Sequence, residues 1–220
     1  MIDLHTHTLF SDGELLPSEL VRRAEMIGYE AVALTDHADS SNLDWIVPRI
    51  AQVCGDLNSR WKIRAIPGIE LTHVPPEMIG GLAEKARTLG ARLVVVHGET
   101  LVEPVPPGTN RKAIEAGVDI LAHPGLITQE DILLARKQKV VLEISARKGH
   151  SLANGHVARM AQKFGVPLVL NTDSHSSDDL IPRQEALKVA LGAGLGQEDF
   201  EGMLQNSRRF VARMTRIPNR

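Results

Sequence analysis

The chain has 220 residues, 43% of them hydrophobic and only 3% aromatic, so it can bury a single aliphatic core without disulfides or a structural metal. A formal net charge of -2 without a long basic block argues against a dedicated nucleic-acid binder. One cysteine, Cys54, excludes a disulfide framework and a cysteine-rich zinc site, and no apolar run is long enough to cross a membrane.

The opening Met1-Ile2-Asp3-Leu4 runs directly into polar residues without a leader pattern, so the expectation is a cytoplasmic protein. In chain order, seven short apolar runs each end in a residue of metal-ligand type. Ile2-Asp3-Leu4 leads into His5, Ala31 to Leu34 into Thr35-Asp36-His37, and Ile63 to Ile69 into Glu70. Leu93 to Val96 leads into His97, and Ile120-Leu121-Ala122 into His123. Val140-Val141-Leu142 leads into Glu143, and Leu168-Val169-Leu170 into Asn171-Thr172-Asp173. Near-continuous β-branched runs of this length read as buried parallel strands.

Helical patterns lie between them. Pro17 suits a first helical position, and Leu20, Val21, Ala24 and Ile27 share a face before Gly28. Further helices are expected near 42–58, 79–89, 109–116, 182–192 and 198–205. Thr128 with Asp131 reads as a capping box, and Asn154 as the cap of a helix closed by Gly165. Cys54 reads as a buried thiol on a helix. The segment Val102 to Gly108, with its three prolines, reads as a loop. The whole, 1–220, reads as one α/β domain, a distorted seven-stranded TIM-like barrel. No Gly-x-Gly-x-x-Gly or Walker motif supports a nucleotide fold.

In such a barrel the C-terminal strand ends meet at one face. Nine sequence-distant donors would converge there: His5, His7, Asp12, His37, Glu70, His97, His123, Asp173 and His175. Crowded at a partly dry mouth without cations, these groups would be poorly solvated and mutually repulsive. Nine nitrogen and oxygen donors exceed the needs of one ion and suit two or three divalent cations. Imidazole with carboxylate suits zinc first, with manganese or iron as alternatives.

These residues resemble a known family. His-x-His near the N-terminus, Ser11-Asp12-Gly13, Thr35-Asp36-His37, Gly68-Ile69-Glu70, His97, Ala122-His123-Pro124 and Asn171-Thr172-Asp173-Ser174-His175 are similar, in order, to the motifs of the polymerase-and-histidinol-phosphatase (PHP) family. The resemblance implies a distorted seven-stranded barrel with up to three metals. It places His5, His7, Glu70 and Asp173 on one metal, and Glu70, His97 and His123 on a second, with Glu70 bridging. Asp12, His37 and His175 would take the third, with Asp12 standing where some phosphatase members have histidine.

The reaction implied is metal-dependent phosphate-ester hydrolysis, with a small phosphomonoester such as histidinol phosphate as the leading substrate class. Glu70, His175 and Asp36 are the candidates for catalytic roles, Asp36 orienting a ligand or moving a proton. Arg147 and Lys148, just after the sixth strand, and His73 are candidates for substrate binding, because arginine forks match phosphate oxygens. Glu143 reads as a carboxylate behind a ligand or an ordinary strand-end acid, and His156 as structural. Arg208, Arg209, Arg213, Arg216 and Arg220 read first as a solvated helix end. A nuclease or phosphodiesterase, an amidohydrolase-type barrel and a non-catalytic metal-stabilised domain are the alternatives.

Overall fold

The computed structural model describes residues 1–215. Among the described residues, eight parallel strand segments and eight α-helices follow one another, with β2 and β3 consecutive and α7 and α8 consecutive. The strands are β1 (Ile2–Asp3), β2 (Ala31–Leu34), β3 (His37–Ala38), β4 (Arg64–Leu71), β5 (Leu93–His97), β6 (Ile120–Ala122), β7 (Val141–Ser145) and β8 (Leu168–Asn171). The helices are α1 (Pro17–Met26), α2 (Leu43–Asn58), α3 (Ile79–Leu89), α4 (Thr109–Glu115), α5 (Gln129–Gln138), α6 (Asn154–Phe164), α7 (Arg183–Gly192) and α8 (Gln197–Thr215).

The eight segments make seven barrel staves. Leu34 pairs with Pro67 and His37 with Glu70, so β2 and β3 keep one register against β4 across Thr35-Asp36. The sheet order is β1-β2-β4-β5-β6-β7-β8. It closes at the C-terminal end, where Thr6 bridges Ser174 and the His7 amide donates to the Ser174 carbonyl at 2.8 Å. Lower in the same seam side chains complete the closure. The Leu4 amide donates to Asn171 Oδ1 at 2.9 Å, and the Thr172 amide donates to the Asp3 carboxylate. The expected distorted seven-stranded α/β barrel is the fold observed.

A period of two sorts the side chains. Ala31, Ala33, Ile66, Leu93, Val95, Ile120, Val141 and Val169 fill the barrel interior, while Val32, Leu34, Val94, Val96 and Leu142 pack outward against the helices. Phe210 and Met214 of α8 plug the interior from the N-terminal end. Helix α8 therefore runs well past the expected 198–205, because these two apolar residues have a core to enter. Arg208 pairs with Glu30 and Arg213 with Asp119. These pairs lie at the strand starts, away from the site. Arg216 and Arg220 lie outside the described residues.

Local chemistry explains the element ends. Pro17 opens α1, and Thr128 Oγ1 accepts from the Asp131 amide at the start of α5. Gly165, with φ of +68°, closes α6 in the left-handed region. Asn154 is not the cap expected of it. It is the first residue of α6, and its amide group pairs with both backbone groups of Ser145, tying the helix to the end of β7. Cys54 is buried on α2 as expected, and burial pushes its thiol up to about 12.

The inward parity continues upward from apolar to polar residues. Ile66 is followed two and four residues on by Gly68 and Glu70, Val95 by His97, Val141 by Glu143, and Val169 by Asn171 and Asp173. The barrel interior thus ends in a layer of polar donors at the C-terminal mouth.

Candidate metal centre

The nine donors singled out in the sequence meet at this mouth. The Glu70 carboxylate lies at its centre, fully buried. One oxygen is 3.2 Å from His5 Nε2 and 3.8 Å from His123 Nε2. The other is 2.6 Å from His37 Nδ1 and 3.8 Å from His7 Nε2. Asp173 approaches from the opposite seam, 3.1 Å from His7 Nε2 and 3.7 Å from both His5 and His123. Asp12 bridges His37 Nε2 at 3.5 Å and His175 Nε2 at 3.2 Å. Two of these residues reach the site through left-handed backbone, His123 with φ of +26° and Asp173 with φ of +55°. Such strain in non-glycine residues persists only where the surroundings enforce it.

Neighbouring acceptors set which ring nitrogen faces the centre. His5 Nδ1 donates to Glu143 at 2.8 Å, and Glu143 in turn accepts from Asn171 Nδ2 at 2.8 Å. His175 Nδ1 donates to the Asp173 carbonyl at 2.9 Å. When neutral, each ring would present an Nε2 lone pair inward, the form that binds a metal, although without a cation the burial of His5 is outweighed by Glu143, Glu70 and Asp173, which raise it well above its ordinary value.

Of the eight buried side-chain atoms without a hydrogen-bond partner among the described residues, six belong to this set. They are His5 Nε2, both ring nitrogens of His7, Glu70 Oε1 and both ring nitrogens of His123. Buried polar atoms are rarely left this way, because each unmet group carries a desolvation cost of roughly 1–3 kcal/mol. Cations among them would supply the missing partners, and the imidazole and carboxylate donors fit divalent metal ions.

The electrostatics point the same way. Burial lowers His7 and His123, and neighbouring imidazoles lower them further, so both stay neutral. Burial alone would push Glu70 up, but His5 and His37 outweigh it and hold the carboxyl well below its ordinary range. Burial raises Asp173, with His5 opposing and the Glu70 and Glu143 charges adding to the rise. A bound cation reverses that repulsion.

Asp12 is carried by the loop after β1, and Asp36 holds that loop. The Asp36 carboxylate accepts from the Thr8 amide at 2.8 Å, the Ser11 amide at 3.1 Å and the Ser11 hydroxyl at 2.8 Å. It is buried and absent from the cavity lining, and its bonds to Thr8 and Ser11 suit the orienting role expected of it, through the turn that carries Asp12. Gly13 packs there so closely that a Cβ would lie 2.4 Å from the His7 carbonyl oxygen. Gly13→Ala is therefore expected to destabilise the fold by about 1–3 kcal/mol in denaturant titration. An unchanged midpoint would show that the turn yields freely.

A cavity of about 230 Å³ opens over the donors, lined by Asp12, His37, His97, Arg147, Asp173 and His175 among others. Arg147 Nη1 donates to the Asp173 carbonyl at 3.1 Å, which fixes the guanidinium at the rim. Lys148 is exposed and outside the lining, so the structure does not bring it to the site. His73 lines the cavity, and His156 donates to the Ile127 carbonyl away from it. Two lining residues escaped the sequence reading as donors. His150 stacks on His123 with ring centroids 4.0 Å apart, and Glu103 stands 3.1 Å from His97 Nε2. Neither follows an apolar run, so the signal that exposed the others was absent. Their only mark was membership of loops that follow β7 and β5.

Comparison with known proteins agrees with this architecture. Over 204 residues the chain is 48% identical to an uncharacterized protein of Methanocaldococcus jannaschii, covering 92% of this chain and 94% of that one. A chain in the cryo-EM structure of archaeal ribonuclease P with mature tRNA superposes with a TM-score of 0.73 at 18% identity, over 97% of this chain and 91% of that one. Histidinol phosphate phosphatase from Lactococcus lactis, complexed with zinc, L-histidinol and phosphate, superposes with a TM-score of 0.61 at 18% identity, over 89% and 94%. The PHP domain matches residues 3–149, from the first strand to the loop after β7. With that match and the order of the motifs along the barrel, the chain belongs to the PHP domain family.

Proposed function

We propose that the protein is a metal-dependent phosphoesterase acting on a small phosphomonoester, with two or three divalent cations at the nine-residue centre. The observation that carries this reading is the set of six partnerless buried donor atoms beneath a small cavity. His5, His7, Glu70 and Asp173 would hold one cation, Glu70, His97 and His123 a second, and Asp12, His37 and His175 a third. Zinc is the first candidate, because a structurally similar phosphatase holds it. Bound there, divalent cations supply charge to phosphate oxygens and make water nucleophilic near neutral pH.

The chain's own residues provide orientation and anion support. Glu143 and Asn171 lock the His5 ring, and the Asp173 carbonyl locks His175. With Nε2 of His175 turned to Asp12, that ring serves as a ligand rather than a free acid. Arg147 faces the cavity from the loop after β7 and would pair with phosphate oxygens remote from the metals. Arg147→Met is expected to lower kcat/KM on a phosphomonoester by about 10- to 150-fold, the effect of losing a charge-assisted contact of roughly 1.5–3 kcal/mol. Lys148→Met should leave it unchanged. Equal kinetics for Arg147→Met and wild type would remove the guanidinium from phosphate binding.

A nucleic-acid-associated role is the second reading, favoured by the superposition on the ribonuclease P chain. The net charge of -2 and the acidic residues Asp12, Glu103 and Asp173 at the mouth weigh against a polyanion. Purified protein supplied with zinc or manganese should be assayed against phosphomonoesters including histidinol phosphate, phosphodiesters, RNA and amides. Turnover confined to monoesters is the expected result, and turnover of RNA or diesters alone would overturn the reading.

A further inference from the structure

The segment between β5, which ends in His97, and α4 contributes nothing to the nine-residue set, yet it carries a carboxylate into the middle of the mouth. Glu103 Oε2 is 3.1 Å from His97 Nε2 and 3.0 Å from His73 Nε2. Its Oε1 is 3.4 Å from His150 Nε2. The ligand atoms of His73, His97 and Glu103 all lie within 4.8 Å of one another.

His97 repeats the arrangement of His5 and His175. Its Nδ1 donates to the Gly98 carbonyl at 3.2 Å, so the neutral ring turns an Nε2 lone pair toward the Glu103 oxygen. For His5 the facing oxygen belongs to Glu70, at 3.2 Å, and for His175 to Asp12, also at 3.2 Å. Three rings thus show one pattern, Nδ1 anchored to an acceptor and Nε2 opposed to a carboxylate oxygen at nearly equal distance. Two acceptors face each other stably only with a cation or a proton between them.

We propose that Glu103 is a further metal-ligating carboxylate, binding the same cation as His97. The proposal rests on the metal-centre reading above. His73 is a positioning residue, donating its Nε2 hydrogen to Glu103 Oε2 from a backbone held at φ of +52°. The loop is built to present the group. Glu99 Oε1 accepts from the amides of Gly108 and Asn110, and Thr100 Oγ1 pairs with His150 Nδ1 at 2.8 Å. Pro104, Pro106 and Pro107 restrict the backbone between these anchors. The resulting ion would carry a carboxylate ligand on its solvent side. A phosphate entering the cavity would meet that side, so the loop would limit the positions left for substrate.

The test is Glu103→Gln, an isosteric change at an exposed loop position that leaves the barrel untouched. Zinc-loaded wild type and variant are challenged with graded chelator, and retained zinc is read by elemental analysis. Crystals of both are then compared by anomalous scattering at the zinc edge. The variant should lose the ion beside His97 at a chelator concentration at least about tenfold lower than wild type. Its anomalous peak between His5 and His7 should persist. Identical retention curves, or a wild-type peak beside His97 that Glu103 does not touch, would overturn the proposal and leave the metal centre standing. A proton shared by His97 and Glu103 predicts that outcome. Wild type that takes up no zinc at all would instead remove the metal-centre reading, and this inference with it.

Discussion

Glu70→Gln is expected to abolish hydrolysis and strip metal while the barrel stays folded. The carboxylate reaches four imidazoles, at 3.2 Å to His5, 2.6 Å to His37 and 3.8 Å to both His7 and His123. Asp173 also reaches several of these rings, but Glu70 alone of the two meets His37, and it is the more deeply buried. The amide has the same shape, and its hydrogens can meet imidazole lone pairs, so little stability is lost. What disappears is the negative charge that would balance two cations at once. Charge stabilisation by metal ions is worth several kcal/mol in the transition state, so activity should fall roughly 10³-fold or more. Elemental analysis beside steady-state assays checks both halves. Normal metal content with normal turnover would remove Glu70 from the centre.

Removal of metal should also show in stability. With cations withdrawn, six buried donor atoms face each other without partners. A ligand that binds only the folded chain adds about 4 kcal/mol at a thousandfold excess over its dissociation constant. For a chain of this size each kcal/mol moves Tm by about 2–4 °C, so one tightly held cation accounts for about 8–16 °C. Chelated protein should therefore melt that far below protein resupplied with zinc or manganese, and magnesium should restore less because imidazole suits it poorly. Calorimetry with and without chelator reads the difference. A Tm indifferent to chelator and to added metal would mean the donors are satisfied some other way.

Part of this arrangement was legible in the sequence through one physical rule, although His5 and His123 stand one residue off the inward parity of Leu4 and Ala122 and reach the mouth just past their strands. Buried parallel strands are apolar throughout, and a period of two sends alternate side chains inward. Where an apolar run ends in a histidine or carboxylate of inward parity, as Val95 does in His97 or Ile66 through Gly68 in Glu70, the donor must emerge at the mouth. Parity also bears on Asp36. Val32 and Leu34 face outward, Asp36 follows them, and its carboxylate binds the Thr8–Ser11 turn instead of the cavity. Its bonds to that turn make it a residue that orients the loop bearing Asp12.

Residues placed by loops were not legible in this way. Glu103 reaches His97 through a proline-stiffened segment anchored by Glu99, and no periodicity encodes that reach. His150 arrives from a short 3-10 turn after β7 and stacks on His123, although the neighbouring Arg147 and Lys148 drew attention as the basic pair. Of that pair only Arg147 enters the cavity, because its guanidinium has the Asp173 carbonyl to hold it there. The length of α8 was obscured similarly. Arg208 and Arg209 looked like a solvated end, yet Phe210 and Met214 beyond them close the barrel floor.

The most direct test of the central claim is anomalous diffraction from crystals grown with zinc, recorded on both sides of the zinc edge. The metal-centre account predicts at least two peaks at the C-terminal mouth, with ring nitrogens of His5, His7, His97 and His123 at about 2.0–2.1 Å and the Glu70 and Asp173 oxygens at about 2.0–2.2 Å. A mouth without anomalous density, in protein that still hydrolyses a phosphomonoester in the presence of chelator, would contradict it.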